Sequence, residues 1–229
     1  LAADIALEAE LALELTVQIN KLEERIAVYY KQADPQQILT TIPGVGQVLA
    51  AQIVGRLGDI DRFSTLSSVR SYSGLVPRCS SSGLVGATGG LSKKGDSCLR
   101  EAICIAADLA RRYDPSLAQR YHRLMMENGK HHTSAVCSVG AVLITRIVAC
   151  MRRQEPYVIR DLDGQPISMQ QGRSLVKQCY TIPEDVRKSR RTVNRHLTGQ
   201  AQVDESKKRG GTTQPGVARR SKARTTPQP

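Results

Sequence analysis

Ile38-Leu39-Thr40-Thr41-Ile42-Pro43-Gly44-Val45-Gly46-Gln47-Val48-Leu49-Ala50-Ala51 is the stretch from which the fold can be read. Val48, Leu49, Ala51, Ile53, Val54 and Leu57 recur at helical spacing behind a Pro-Gly-Val-Gly turn, so Ile38 to Leu57 is predicted to be helix, tight turn, helix. Gly44 and Gly46 would let backbone N–H groups come close to a phosphate, and the helix that follows points its positive end at the same place. Such a contact grips the nucleic-acid backbone and positions a protein without reading sequence. Two readings of the turn stay open at this point: a helix-hairpin-helix that binds DNA, and a helical corner built for packing.

Upstream, Leu1, Ile5, Ala12, Leu15, Ile19, Leu22, Ile26 and Tyr29 form a stripe with alternating spacings of three and four, interrupted only by Glu8. The spacing predicts a long amphipathic helix that pairs with another helix, in this chain or in a second copy. Asp34-Pro35 ends it. The chain opens at Leu1 inside this pattern, as expected for the remainder of a longer protein.

Downstream, Gly58 is expected to cap the second helix, Ser64 to start another and Gly74 to end it, with Phe63, the only phenylalanine, in the core. From Leu75 to Leu91 helical periodicity gives way to a hairpin or loop containing Gly83, Gly86, Gly89 and Gly90. Ser80, Ser81 and Ser82 sit in it, with Arg78 before them and Lys93, Lys94 and Arg100 after. Cations on both sides can clamp a phosphodiester. A serine hydroxyl attacking phosphorus needs a base or metal in addition, and no such base is evident. Asp96, placed before Ser97 and Leu99, reads as a helix N-cap. Asp96 to Arg112, Leu117 to Asn128 and His132 to Arg153 follow as three helices; Asp161 to Gln165 reads as a turn, and Ser168 to Arg191 as short helical pieces. Arg111-Arg112 and Arg152-Arg153 fall at helix C-termini, where they suit capping or phosphate contact.

The formal net charge is +12 in 229 residues. Residues 1 to 34 hold seven acids and three Lys/Arg, whereas residues 187 to 229 hold two acids and twelve Lys/Arg. The excess favours a polyanionic partner, nucleic acid first. Thr198 to Pro229 is rich in Gly, Thr, Gln and Pro and is expected to be disordered, either as a solubilising end or as a nonspecific nucleic-acid arm. The six cysteines form no C-x-x-C pair, His131-His132 reads as a turn and helix start, and no metal is assigned to this chain. Thr133 to Thr145, the longest uncharged run near the end, falls short of the roughly 18 residues a membrane span needs, so an intracellular protein is expected.

The ordered set Ile42-Pro43-Gly44-Val45-Gly46, Asp61-Arg62-Phe63, Gly74-Leu75-Val76-Pro77, Ser82-Gly83, Lys93-Lys94-Gly95-Asp96 and Leu99-Arg100, followed by three long helices, resembles the C-terminal transposase domain of the insertion-sequence one-ten family, from about Ile38 to Tyr157. The resemblance implies a bridge-RNA-guided serine recombinase with an N-terminal RuvC-like domain whose acidic tetrad binds Mg2+, then a coiled coil, then this domain. It implies that Leu1 to Tyr30 is coiled coil and that Ser82 matches the nucleophile, with Ser80 and Ser81 as alternatives. It further implies DNA and guide RNA as partners, a homo-oligomer through the coiled coil, and a bacterial, cytoplasmic, nucleoid-associated setting. No RuvC-like domain precedes the coiled coil in this sequence, so the chain alone is expected to be inactive.

The expected fold is mainly α, with a coiled-coil segment over 1–34 and a transposase domain over 35–157 containing the helix-hairpin-helix-like unit, the Gly/Ser loop or small hairpin and a three-helix bundle. An extension over 158–197 and a disordered basic tail over 198–229 complete it. The expected function is the DNA-binding, strand-transfer portion of a transposase with Ser82 as nucleophile and Gly44, Gly46, Arg78, Lys93, Lys94 and Arg100 on DNA. The competing reading is a noncatalytic DNA-binding module or a truncated, inactive relic.

Overall fold

A computed structural model describes residues 1–80, 87–92 and 94–191. Helix α1 (Ala2–Ala33) ends where Asp34 turns out of helical geometry. Only its last turns meet the rest of the chain: Tyr30 is buried and Ile26 and Ala27 are half-buried, while Tyr29, which the stripe placed inward, is 63% exposed. The reason is local. The Tyr30 hydroxyl donates to the Asp34 carboxylate (2.8 Å), and that carboxylate also accepts from the Leu39 N–H, so the helix end is anchored through residue 30.

The chain then makes a single 3-10 turn (Ile38–Thr41) and α2 (Gln47–Leu57). The first arm expected of a helix-hairpin-helix is therefore only one tight turn. Thr40 and Thr41 hydroxyls donate to the Gln37 and Ile38 carbonyls, and Pro43 follows within two residues, so a longer helix does not propagate. Gly58 closes α2 at φ 58°, as expected. Helix α3 (Leu66–Tyr72) starts one residue later than Ser64 suggested, because Thr65 and Ser68 form a reciprocal capping box. Arg62 sits 4.5 Å from both the Phe63 and the Tyr72 rings, and Phe63 is in the core. Arg152 donates to the carbonyls of Ile60 and Phe63, so it ties the far end of the molecule to this corner and does not cap its own helix.

Strands β1 (Pro77–Ser80) and β2 (Ala87–Leu91) form a two-stranded antiparallel hairpin, with Arg78 opposite Gly89 and Ser80 opposite Ala87. Helices α4 (Ser97–Ala110), α5 (Pro115–Met126) and α6 (His132–Arg153) follow, and α6 packs against both of the others. Helix α6 is long and apolar enough to cross a membrane by length and composition, yet over half of its apolar window is buried in the core. Helices α7 (Met169–Cys179) and α8 (Glu184–Ser189) complete the described chain, and Leu1–Arg191 form one compact unit. The three long helices are thus not terminal: α7 packs on α5. The expected disordered tail, Thr198 to Pro229, lies outside the described residues.

One carboxylate holds several of these elements together. Asp114, 2% exposed, caps α5 by accepting from the Ser116 and Leu117 N–H groups. Its other oxygen accepts from the Tyr157 hydroxyl and from Arg146 of α6 (3.2 Å), and Arg146 also reaches Ser116. Burial, together with the adjacent carboxylate, pushes the Tyr157 phenol well above its ordinary range, so it stays a donor. The Tyr157 N–H in turn donates to the Thr41 hydroxyl (2.8 Å), joining the segment after α6 to the 3-10 turn. Asp114→Ala removes a cap, takes the acceptor from the buried Tyr157 hydroxyl and leaves Arg146 without its carboxylate. A loss of about 3 kcal/mol is expected in urea denaturation, less than for a wholly buried pair because Arg146 is partly solvated.

Candidate functional site

The hairpin is held at its base by two glycines. Gly74 has φ 68°, and a Cβ there would come within 2.5 Å of the Arg100 guanidinium. Gly95 passes so close to the end of α3 that a Cβ on it would sit on the Tyr72 carbonyl oxygen and the Gly74 nitrogen. With both side chains absent, the Asp96 N–H donates to the Tyr72 carbonyl (2.7 Å), and the Ser92 N–H donates to the Val76 carbonyl (2.9 Å). The strand that enters the hairpin and the strand that leaves it are thereby clasped where they join the helices.

Around the clasp the charged groups have distinct tasks. Asp96 caps α4 through the Leu99 N–H (2.8 Å), as its position in the sequence suggested, and lies 3.7 Å from Arg56 at the end of α2. Arg100 is half-buried and donates to the Ser73 carbonyl at the end of α3 (3.3 Å), so part of its donor capacity serves the fold. Lys94 is exposed. Arg78 stands on β1 beside the clasp. Lys93, Ser81 and Ser82 lie outside the described residues; Ser80 ends β1 and Ala87 begins β2, so the intervening sequence with Ser82 connects the two strands.

Gly44 and Gly46 stand elsewhere. Helix α2 runs antiparallel to α4: Gln52 reaches the Cys98 carbonyl near one end, and Gly44 abuts Leu109 near the other. With 11 residues in α2, the glycine turn lies about 15 Å from the hairpin base. Gly44 has φ 80°, and a Cβ on it would come 2.6 Å from the Leu109 Cβ, so its need for glycine is met by packing. Gly46 differs: nothing lies within 4 Å of a Cβ added there, it is exposed, and it precedes α2, which has no side-chain cap. The open N–H groups at that helix start are where an anion would be received.

The sequence motifs Gly74-Leu75-Val76-Pro77 and Lys93-Lys94-Gly95-Asp96 thus meet at one clasp, with Arg100 joining them, and the Gly44–Gly46 turn forms a second, separate element. Reading along the chain missed the clasp itself and the Arg56–Asp96 pair. Their only signal is a glycine next to an N-cap aspartate, with no hint of which strand it would cross.

Residues 36–122, which span this whole arrangement, match the Transposase IS116/IS110/IS902 family. This segment is thus similar to the transposase domain of that family. The chain is 31% identical over 137 residues to the transposase for insertion sequence element IS1328 of Yersinia enterocolitica, a match covering 58% of this chain and 40% of that protein. It is 30% identical over 135 residues to an insertion element IS110 43.6 kDa protein of Streptomyces coelicolor, covering 59% of this chain and 33% of the relative. The pilin gene-inverting protein of Moraxella bovis is 26% identical over 121 residues, covering 52% and 38%. The chain therefore spans well under half the length of these relatives.

Gly95→Ala is expected to open the clasp, since a methyl group has no space there. Overpacking costs about 1–3 kcal/mol, and hydrogen exchange should show faster loss of protection at the Ser92 amide than at Leu99, whose N–H bonds to Asp96.

Proposed function

We propose that this chain supplies the DNA-binding and strand-transfer part of an insertion-sequence transposase, with Ser82 as the nucleophile. The observation that carries the reading is the clasped base of the hairpin: β1 and β2, between which Ser82 falls in sequence, leave a base fixed by Gly74 and Gly95, with Lys94 exposed, Arg100 half-buried beside it and Arg78 in β1. A loop on a rigid base suits a nucleophile that must meet phosphorus in line. In the reaction proposed, the serine Oγ forms a bond to a DNA phosphorus as the P–O bond to the leaving deoxyribose oxygen breaks. The serine proton passes to solvent and the leaving deoxyribose oxygen takes one from solvent, so no net proton is gained or lost. The phosphoserine ester conserves the energy of the broken bond, so a second strand's hydroxyl can reverse the step and rejoin DNA.

The Gly46 end of α2 supplies the second grip. At 3.4 Å per base pair, the roughly 15 Å between it and the hairpin base corresponds to four or five base pairs, so both elements can engage one duplex. The family resemblance places Mg2+ on the acidic tetrad of a RuvC-like nuclease domain. Among the described residues no three His, Cys, Asp or Glu side chains converge to hold the ion, and activation of the serine hydroxyl is assigned in this proposal to that domain, with the nucleophile and the DNA contacts assigned to this chain. A guide RNA is proposed as the second polyanion.

We also propose that α1 pairs with a second copy. Leu15, Ile19 and Leu22 keep the spacing of a coiled-coil seam and are all more than half exposed, although the exposed apolar surface of α1 extends beyond that seam to Leu7, Leu13 and Val17. Leu15→Glu with Leu22→Glu is expected to halve the mass seen in sedimentation equilibrium; an unchanged mass would remove this pairing.

The catalytic reading is tested by joining the chain to a RuvC-like domain of the family, adding guide RNA, Mg2+, donor and target DNA, and assaying a protease-sensitive protein–DNA adduct. The adduct is expected to vanish in Ser82→Ala. Persistence there with loss in Ser80→Ala or Ser81→Ala would move the nucleophile within the loop. Salt-dependent DNA binding with no adduct in any variant would favour the noncatalytic module.

A further inference from the structure

A groove of about 870 Å3 opens at the C-terminal end of α4, remote from the hairpin. The hairpin base lies at the other end of this 14-residue helix, about 20 Å away. The floor is Asp108, Arg111, Arg112, Tyr121 and His132, and the walls come from α7, α8 and the segment between them. Seven of the lining residues are Lys or Arg, against two acids, Asp108 and Glu184. These walls lie outside the 36–122 family match.

The groove is built, not incidental. Gly172 allows α7 to press onto the α4–α5 junction, where any Cβ would collide with the Tyr113 carbonyl, and this sets the Arg173 guanidinium 5.7 Å from the Tyr113 ring. The other wall is seated by Ile182 in the core and by the His132 N–H donating to the Arg190 carbonyl (3.1 Å). Both acids are already engaged: Asp108 is held by Arg111 (2.5 Å) and Arg112 (2.8 Å), and Glu184 by Lys188 (3.0 Å). Burial disfavours the charged Asp108 carboxylate, but the two arginines outweigh it and keep its pKa below the ordinary value. Arg111 is committed further by lying 3.9 Å over the Tyr121 ring.

Arg173, Lys177, Arg187 and Arg191 remain exposed, and among the described residues none has a carboxylate partner. Each pair is spaced i, i+4, so each wall presents two cations along one helical face or its continuation. Four unneutralised cations facing each other across an open groove suit a chain of phosphates, and the sequence beyond Arg191 continues basic, with eight Lys/Arg against two acids.

We propose that this groove is a second nucleic-acid site, which binds a phosphodiester backbone through Arg173, Lys177, Arg187 and Arg191. It rests on the proposed function only in taking nucleic acid as the partner; it requires neither Ser82 nor the hairpin. The sugar type is left to the test, since DNA and RNA present the same phosphates.

The test is fluorescence anisotropy of the full chain with labelled single-stranded and duplex DNA and RNA over a range of salt concentrations. All four cations are replaced by alanine in one variant, and Lys94 and Arg78 in another. The four groove cations and Lys94 are exposed, and matching circular dichroism and Tm would confirm the fold of both variants. The groove variant is expected to bind at least 10-fold more weakly, with the slope of log affinity against log salt reduced by about three to four. The nucleic acid showing the larger loss identifies the ligand. Unchanged affinity and slope in the groove variant would overturn the site even if the hairpin variant lost binding, and would leave the hairpin reading intact. Equal displacement of oligonucleotide by millimolar inorganic phosphate would also overturn it, by showing a small-anion pocket.

Discussion

Alanine at positions 102, 106, 107 and 110 makes α4 thin enough for α2 and α6 to press on it from separate sides, and all four are fully buried. The approach to α6 is closest at Gly140, where a Cβ would come 3.2 Å from Ile103. Larger side chains on α4 would push these neighbours apart, and close packing leaves no slack to absorb them. This helix also fixes the spacing of the hairpin clasp, the glycine turn and the basic groove. The hairpin clasp is built on its N-terminal end, the glycine turn of α2 rests on Leu109 near its other end, and Arg111 and Arg112 continue it into the basic groove.

The Gly74–Gly95 clasp lets two backbone segments cross without side chains between them. That solution has a cost in specificity of sequence, since neither glycine can be exchanged, but it leaves the cations nearby available. Arg100 belongs to the same clasp, since one of its nitrogens holds the end of α3.

The Asp114 network plays the complementary role on the far side of the core. It links an N-cap on α5, a side chain of α6 and the segment that follows α6 through a single buried carboxylate, and the Tyr157 N–H then reaches back to Thr41. Because the start and the end of the 35–157 region are joined in this way, α7 and α8 are added to a closed frame. Their apolar anchors, Ile182 and the partly buried Ile167 and Val186, rest on it and leave their cationic faces outward.

Much of this was legible in the sequence because it depends on neighbours within one turn. Helix α6 was readable from His132 to Arg153, Asp96 announced the start of α4, and Gly58 marked the end of α2. The ordered motifs were also enough to point to the transposase family that residues 36–122 match. Choices between equivalent neighbours were not readable. Tyr29 and Tyr30 both fit the end of a stripe, and only the position of Asp34 after the helix turned Tyr30 inward. Gly44 and Gly46 look alike in a turn, and only the arrival of Leu109 from α4 gave one to packing and left the other open. The clasp, the Asp114 network and the basic groove each join residues twenty or more positions apart. Periodicity and capping are local and follow from the order of residues, whereas which backbone crosses which glycine, and which cations are left without a carboxylate, is decided when the helices pack.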